Sequence, residues 1–204
     1  MDFLLATKNA HKIEEMNRIL APLDVRVLGE HECGVLLPDV EETGGTFAEN
    51  AFLKARLACL ASGMPSIADD SGLCVDGLDG APGVLSARFA GEDHDDQRNI
   101  DKLLYLLSDA PEGDPARNAR FVCEICCCFP DGNVITAQGV CRGVIATCRH
   151  GDNGFGYDPV FMVGNLSFAQ MESDDKDAVS HRGRALRAFS EKLKKRIGER
   201  DADQ

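Results

Sequence analysis

Apolar residues along the chain come in short runs that alternate with amphipathic stretches, the pattern of strands and helices packed in layers. Residues 2–6 read as a short buried strand, and Ile13, Met16 and Leu20 repeat at helical spacing directly after it. A second strand is expected at 25–28. A helix from Phe47 to about Leu60 is announced by Thr46 and Glu49, which have the spacing of a capping box. Residues 66–68 form a brief strand, Ser71-Gly72 a turn and 73–75 another strand, after which 96–107 place Ile100, Leu103, Leu104 and Leu107 on one helix face. Two longer strands, 121–129 and 134–140, are joined by Pro130-Asp131-Gly132-Asn133, a strong hairpin signal. A glycine-rich loop at 151–158 and a strand at 160–163 follow. Leu186, Phe189, Leu193 and Ile197 then line a final helix, with Ser180 as its candidate N-cap. No repeat or low-complexity linker breaks the series, so residues 1–204 are read as a single domain of the α/β class, a mixed central sheet with flanking helices.

Charge and cysteine usage narrow the function. A net charge of −12 repels polyanions and argues against a nucleic-acid partner. A single nucleotide is compatible with it, held by a few local cations while carboxylates bind a metal that offsets the rest of the phosphate charge. The apolar runs are too short to span a bilayer and the chain begins with Met1-Asp2 instead of a basic signal region, so no export and no membrane partner are expected. The nine cysteines show no framework of spacings, which fits a reducing, cytoplasmic location. Cys123, Cys126, Cys127 and Cys128 fall in one strand whose side chains alternate faces. No second CxxC or HxxxH completes a zinc site, so they are read as buried thiols.

Five segments carry candidate chemistry. Thr7, Asn9 and Lys12 stand at a strand-to-helix junction, where hydroxyl, amide, ammonium and backbone N–H groups can all donate to phosphate oxygens; an ordinary polar connection has the same look. Asp69 and Asp70 follow a strand end, where α/β sheets form ligand clefts, and two adjacent carboxylates call for a cation unless they lie in a solvated turn. Glu41 and Glu42 are further candidate metal ligands or plain surface acids. The Gly154-Phe155-Gly156-Tyr157-Asp158-Pro159 loop offers rings for stacking a base or for packing a core. Lys176 and Ser180-His181-Arg182 gather cations at a helix start, where the dipole disfavours them unless an anion is present.

Taken in order, these segments resemble the inosine triphosphate pyrophosphatase family, also called dITP/XTP pyrophosphatases. The resemblance runs through Leu5-Ala6-Thr7-Lys8-Asn9-Ala10-His11-Lys12, Glu41-Glu42-Thr43-Gly44, Thr46-Phe47-Ala48-Glu49-Asn50-Ala51 with Lys54-Ala55, and Ala68-Asp69-Asp70-Ser71-Gly72-Leu73. It continues through Gly80-Ala81-Pro82-Gly83, Ser86-Ala87-Arg88, Gly154 to Pro159 and Ser180-His181-Arg182-Gly183. It implies a mixed-sheet lobe and a smaller lobe with a nucleotide cleft between them, a magnesium (Mg2+) cofactor and a homodimer. Asp70 would be the proton acceptor and, with Glu41, a metal ligand. Thr7, Lys8, Asn9, Ala10, His11 and Lys12 would bind phosphates, and Ser71, Phe155, Gly156, Tyr157, Asp158, Lys176, His181 and Arg182 would complete the substrate site. His11 departs from the glycine common at its position, and Asp175 and Asp177 flank Lys176 where Glu and Asn or Ser are usual. The implied reaction is hydrolysis of ITP, dITP or XTP to monophosphate and pyrophosphate. The alternatives are a nucleotide-binding regulator without hydrolysis and a pyrophosphatase of other modified nucleotides.

Overall fold

A computed structural model describes residues 2–202, apart from Lys8, Asn9, Asp24, Pro38, Asp39, Glu41 and Asp93, and apart from the side chains of Ala10, His11, Leu23 and residues 199–202. The strands are β1 (Asp2–Leu5), β2 (Arg26–Leu28), β3 (Ser66–Val75), β4 (Asn118–Cys128), β5 (Val134–Ile145), β6 (Phe161–Val163) and β7 (Leu166–Ser167). They form one mixed sheet in the order β2-β1-β3-β4-β5-β6-β7. β1 pairs in parallel with β2 and β3, in register Phe3 to Val27 and Leu4 to Ser66, whereas β5, β6 and β7 pair antiparallel. The helices are α1 (Ala10–Leu20), α2 (Glu30–Cys33), α3 (Phe47–Ser62), α4 (Asp96–Leu106), α5 (Ser173–Val179) and α6 (His181–Ala202). None of the described helices is long and apolar enough to cross a membrane.

The chain divides into two compact units. The first comprises residues 1–70, 123–139 and 182–204, the second 71–122 and 140–181. In the first unit the alternation of β4 splits its cysteines: Cys123 and Cys127 join Phe3, Leu5, Met16, Ile67, Leu186 and Phe189 in one core, while Cys126 and Cys128 pack with Ala51, Ala55 and Cys59 of α3 in another. Cys123, Cys126, Cys127 and Cys128 are all buried and none of them forms a disulfide, in keeping with the buried-thiol reading of this cluster. α3 begins as its sequence predicts: Glu49 N–H donates to Thr46 Oγ1 at 3.2 Å and Thr46 N–H to Glu49 Oε2 at 3.0 Å. It ends on Gly63 at φ +66°, whose N–H donates to Cys59 O at 2.9 Å. The core of the second unit joins Leu73, Ile100, Leu103, Phe121, Tyr157, Phe161 and Phe168, with the Phe121 and Phe161 rings edge-on at 4.7 Å.

One sequence expectation fails here. Residues 66–75 are a single strand with no turn at Ser71-Gly72, so the acidic doublet lies within β3. Local turn chemistry is overridden because both carboxylates find cationic partners while buried. The short α2, α5 and β7 lack a periodic signal of their own, and β4 and β5 run past the apolar stretches that announce them.

Candidate active site

The alternation of β3 sends its two acids to opposite faces. Asp69, 2% exposed, points to α1 and α6: Lys12 Nζ donates to its Oδ1 at 3.0 Å and Arg182 Nε to its Oδ2 at 3.2 Å. Arg182 Nη1 donates in turn to Glu15 Oε2 at 2.8 Å. Lys12 and Glu15 share the buried side of α1 because they stand three residues apart on a helix. Burial works against a charged Asp69, but Lys12, Arg182 and Lys54 outweigh it and hold this carboxyl well below the usual range. Arg182 is shifted the other way, since Asp69 and Glu15 overcome the burial that would favour its neutral form.

Asp70 points to α3. Lys54 Nζ donates to its Oδ1 at 3.0 Å and to Glu42 Oε1 at 2.7 Å, and Asn50 Nδ2 donates to its Oδ2 at 3.2 Å. Asn50 and Lys54 lie one turn apart, beside Ala51, Ala55 and Ala58, whose small buried side chains let the helix approach the strand closely. Burial raises Asp70 above the ordinary carboxylate value; the Lys54 charge opposes the rise and Glu42 adds to it. A carboxylate so placed is a better proton acceptor than a solvated one. Among the described residues no three-acid cage exists. Magnesium does not require one, because it takes one or two carboxylates and completes its shell with water and phosphate oxygens; Asp70 and Glu42, both reached by one ammonium, are hard donors of that kind.

The second group of sequence-selected residues lies in the second unit. Asp158 accepts from Lys176 Nζ at 2.6 Å and from Phe155 N–H at 3.0 Å. Lys176 Nζ also stands 5.3 Å from the Phe155 ring centroid, a cation over an aromatic face. Gly156, at φ +59°, donates its N–H to Asp96 Oδ2 at 2.7 Å. The Tyr157 ring packs in the core and its hydroxyl donates to Ser86 O at 2.9 Å, so the packing alternative holds for this ring. His181 is buried and stacks on Phe121, with centroids 4.6 Å apart and planes 11° from parallel.

Lys8, Asn9 and Glu41 lie outside the described residues, and Ala10 and His11 open α1. Thr7 is half-buried after β1, and Ser71 follows Asp70 on β3. Sequence reasoning missed Glu15 and Asn50. Their signal was a polar residue on the buried face of a helix, spaced from a lysine by three and four residues respectively.

A model of the Ham1 family matches residues 3–192. A dITP/XTP pyrophosphatase of Bacillus cereus is 47% identical over 194 residues, which cover 93% of this chain and 93% of that protein. The solved structure of a HAM1 protein from Coxiella burnetii superposes with a TM-score of 0.86 at 40% identity, covering 96% of this chain and 99% of that one. The Staphylococcus aureus Ham1 protein gives 0.83 at 41% identity, covering 96% and 100%.

Proposed function

Because the chain belongs to the Ham1 family, we infer that it hydrolyses the deaminated purine nucleoside triphosphates ITP, dITP and XTP to the monophosphate and pyrophosphate. The observation that carries the reading is Asp70, a buried carboxylate fixed by Lys54 and Asn50, in a chain so similar to pyrophosphatases of that specificity. In this reading Asp70 takes the proton of the water that attacks the α-phosphorus, and pyrophosphate leaves. Lys12 and Lys54 offset negative charge developing on the phosphates, with Lys176 as a further cation. Asp70 and Glu41 would hold magnesium, which would supply neutralisation of phosphate charge and polarisation of the scissile bond. His181 and Arg182 read the purine: a keto oxygen at position 6 accepts from protein donors, whereas the amino group of adenine leaves them unpaired. Arg182 enters this role already braced by Asp69 and Glu15. The reading includes a homodimer in the reducing cytoplasm, in line with nine cysteines that form no disulfide, and a net charge of −12 that disfavours nucleic acid.

A product assay across ITP, dITP, XTP, GTP and ATP, with and without magnesium, tests the reading. Magnesium-dependent pyrophosphate from the deaminated substrates is expected, and Asp70→Asn should lose nearly all of it while its melting curve stays cooperative. Release of orthophosphate, a preference for ATP, or full activity in Asp70→Asn would each refute it.

A further inference from the structure

Asn50 is 1% exposed, and in the reaction described above it neither meets substrate nor moves a proton. A buried polar side chain on a helix otherwise packed through alanines and Cys59 is costly unless both ends of its amide are satisfied. Here they are. Nδ2 donates to Asp70 Oδ2 at 3.2 Å, and Oδ1 accepts from the Gly44 backbone N–H at 2.8 Å. The partners fix the orientation of the amide, since a carboxylate only accepts and a backbone N–H only donates.

Two consequences follow for Asp70. Its oxygens each hold one fixed donor, Lys54 on Oδ1 and Asn50 on Oδ2, so turning the carboxylate breaks both bonds together. The acidic loop is also tied to it. A Cβ at position 44 would stand 2.5 Å from Asn50 Oδ1 and 2.8 Å from Glu49 Cβ, so the backbone approaches the amide as closely as glycine permits. Glu42, two residues earlier, is held to the same carboxylate through Lys54.

We propose that Asn50 is a positioning residue for hydrolysis: its amide sets the plane of the Asp70 carboxylate and locks the loop at Gly44 to it. The proposal rests on the assignment of Asp70 as the proton acceptor. Only an amide of this length supplies donor and acceptor at once. Asn50→Asp keeps an acceptor for Gly44 but, when ionised, sets a like charge against Asp70, whereas Asn50→Leu removes the donor at similar size with no added charge.

The test measures kcat, KM and melting temperature with ITP for Asn50→Leu, Asn50→Asp, Gly44→Ala, the double variant Gly44→Ala/Asn50→Asp and Asp70→Asn, and Asn50→Leu should lower kcat as Asn50→Asp does. Asn50→Asp should lower kcat on the order of 10- to 100-fold, the usual effect of removing a hydrogen bond that orients a functional ligand, with KM within about twofold. Gly44→Ala, which leaves every polar side chain in place, should lower kcat in the same way by pushing the amide. The double variant should then be little worse than the worse single variant, because both act through one bond. A purely structural Asn50 predicts a lower melting temperature with kcat within about twofold of wild type, and that result overturns the proposal. If Asn50→Asp does not fold, Gly44→Ala decides alone, and unchanged kcat there overturns the proposal too. Activity in Asp70→Asn would overturn the underlying assignment instead, whereas an inactive Asp70→Asn beside an active Asn50→Asp overturns only the role of Asn50.

Discussion

Removing the Arg182 guanidinium without removing its bulk, as in Arg182→Met, strips two buried acids of a shared partner. Arg182 is 3% exposed and bonds Asp69 and Glu15 through separate nitrogens. Breaking a buried ion pair from one side costs about 3–5 kcal/mol, because the remaining charge is left uncompensated. Asp69 keeps Lys12 at 3.0 Å, which places the expected loss near the lower end, about 3 kcal/mol. For a chain of this length that is a fall in melting temperature of roughly 6–12 °C. The loss also depends on pH. The folded-state pKa of Asp69 is depressed, so its contribution is present above the unfolded value of about 3.9 and is lost as pH falls through the folded value. In Arg182→Met the burial of Asp69 is opposed by Lys12 and Lys54 alone, so its pKa rises and its protonation on acidification relieves part of the penalty. The gap between variant and wild type should therefore narrow as the pH falls. Adding Glu15→Gln should recover part of the stability, since it removes the second stranded charge. Scanning calorimetry or thermal circular dichroism measures each quantity. A shift below about 2 °C at neutral pH, or a gap that does not change with pH, would refute the reasoning.

Two further outcomes can be checked directly. In the native protein an aromatic disulfide reagent should label the exposed Cys148 quickly and the half-buried Cys33 slowly, while the buried thiols, raised by desolvation at Cys123, Cys126 and Cys127, react only after denaturant is added; fast labelling of any of these three would contradict their packing. Gly154→Ala, at φ +80°, drives a Cβ into the Asp158 carboxylate that holds Lys176 and Phe155; it should raise KM for ITP on the order of tenfold, about the worth of one charge-assisted hydrogen bond, and an unchanged KM would remove Lys176 from the substrate site.

Local signals in the chain predict local structure well. The Thr46–Glu49 cap, the turn at residues 130–133 between β4 and β5, and the apolar line Leu186–Phe189–Leu193 of α6 all stand where short-range chemistry puts them. What short-range chemistry cannot supply is the partner from elsewhere. Ser71-Gly72 has turn composition, yet β3 continues through it because sheet pairing and buried ion pairs are decided by other segments. Arg182 reads as a cation at a helix start, and its actual bonds go to Glu15, 167 residues away, and to Asp69, 113 away. The same limit applied to the acidic doublet. Its composition fits a metal site and a solvated turn equally, and the alternation of one strand gives its two members different neighbours, Asp69 between Lys12 and Arg182, Asp70 between Lys54 and Asn50.

That alternation makes β3 behave like a reading frame. Its register on β1, Leu4 beside Ser66 and Leu5 beside Ile67, decides which helix each acid meets. A slip of one residue would exchange the faces of Ile67, Ala68, Asp69 and Asp70 together, sending apolar side chains to the cations and a carboxylate into the apolar layer. A single inserted or deleted residue between Ser66 and Asp70 would thus be far more damaging than most substitutions within it. A misregistered sheet is also disfavoured twice over, once by hydrophobic burial and once by charge.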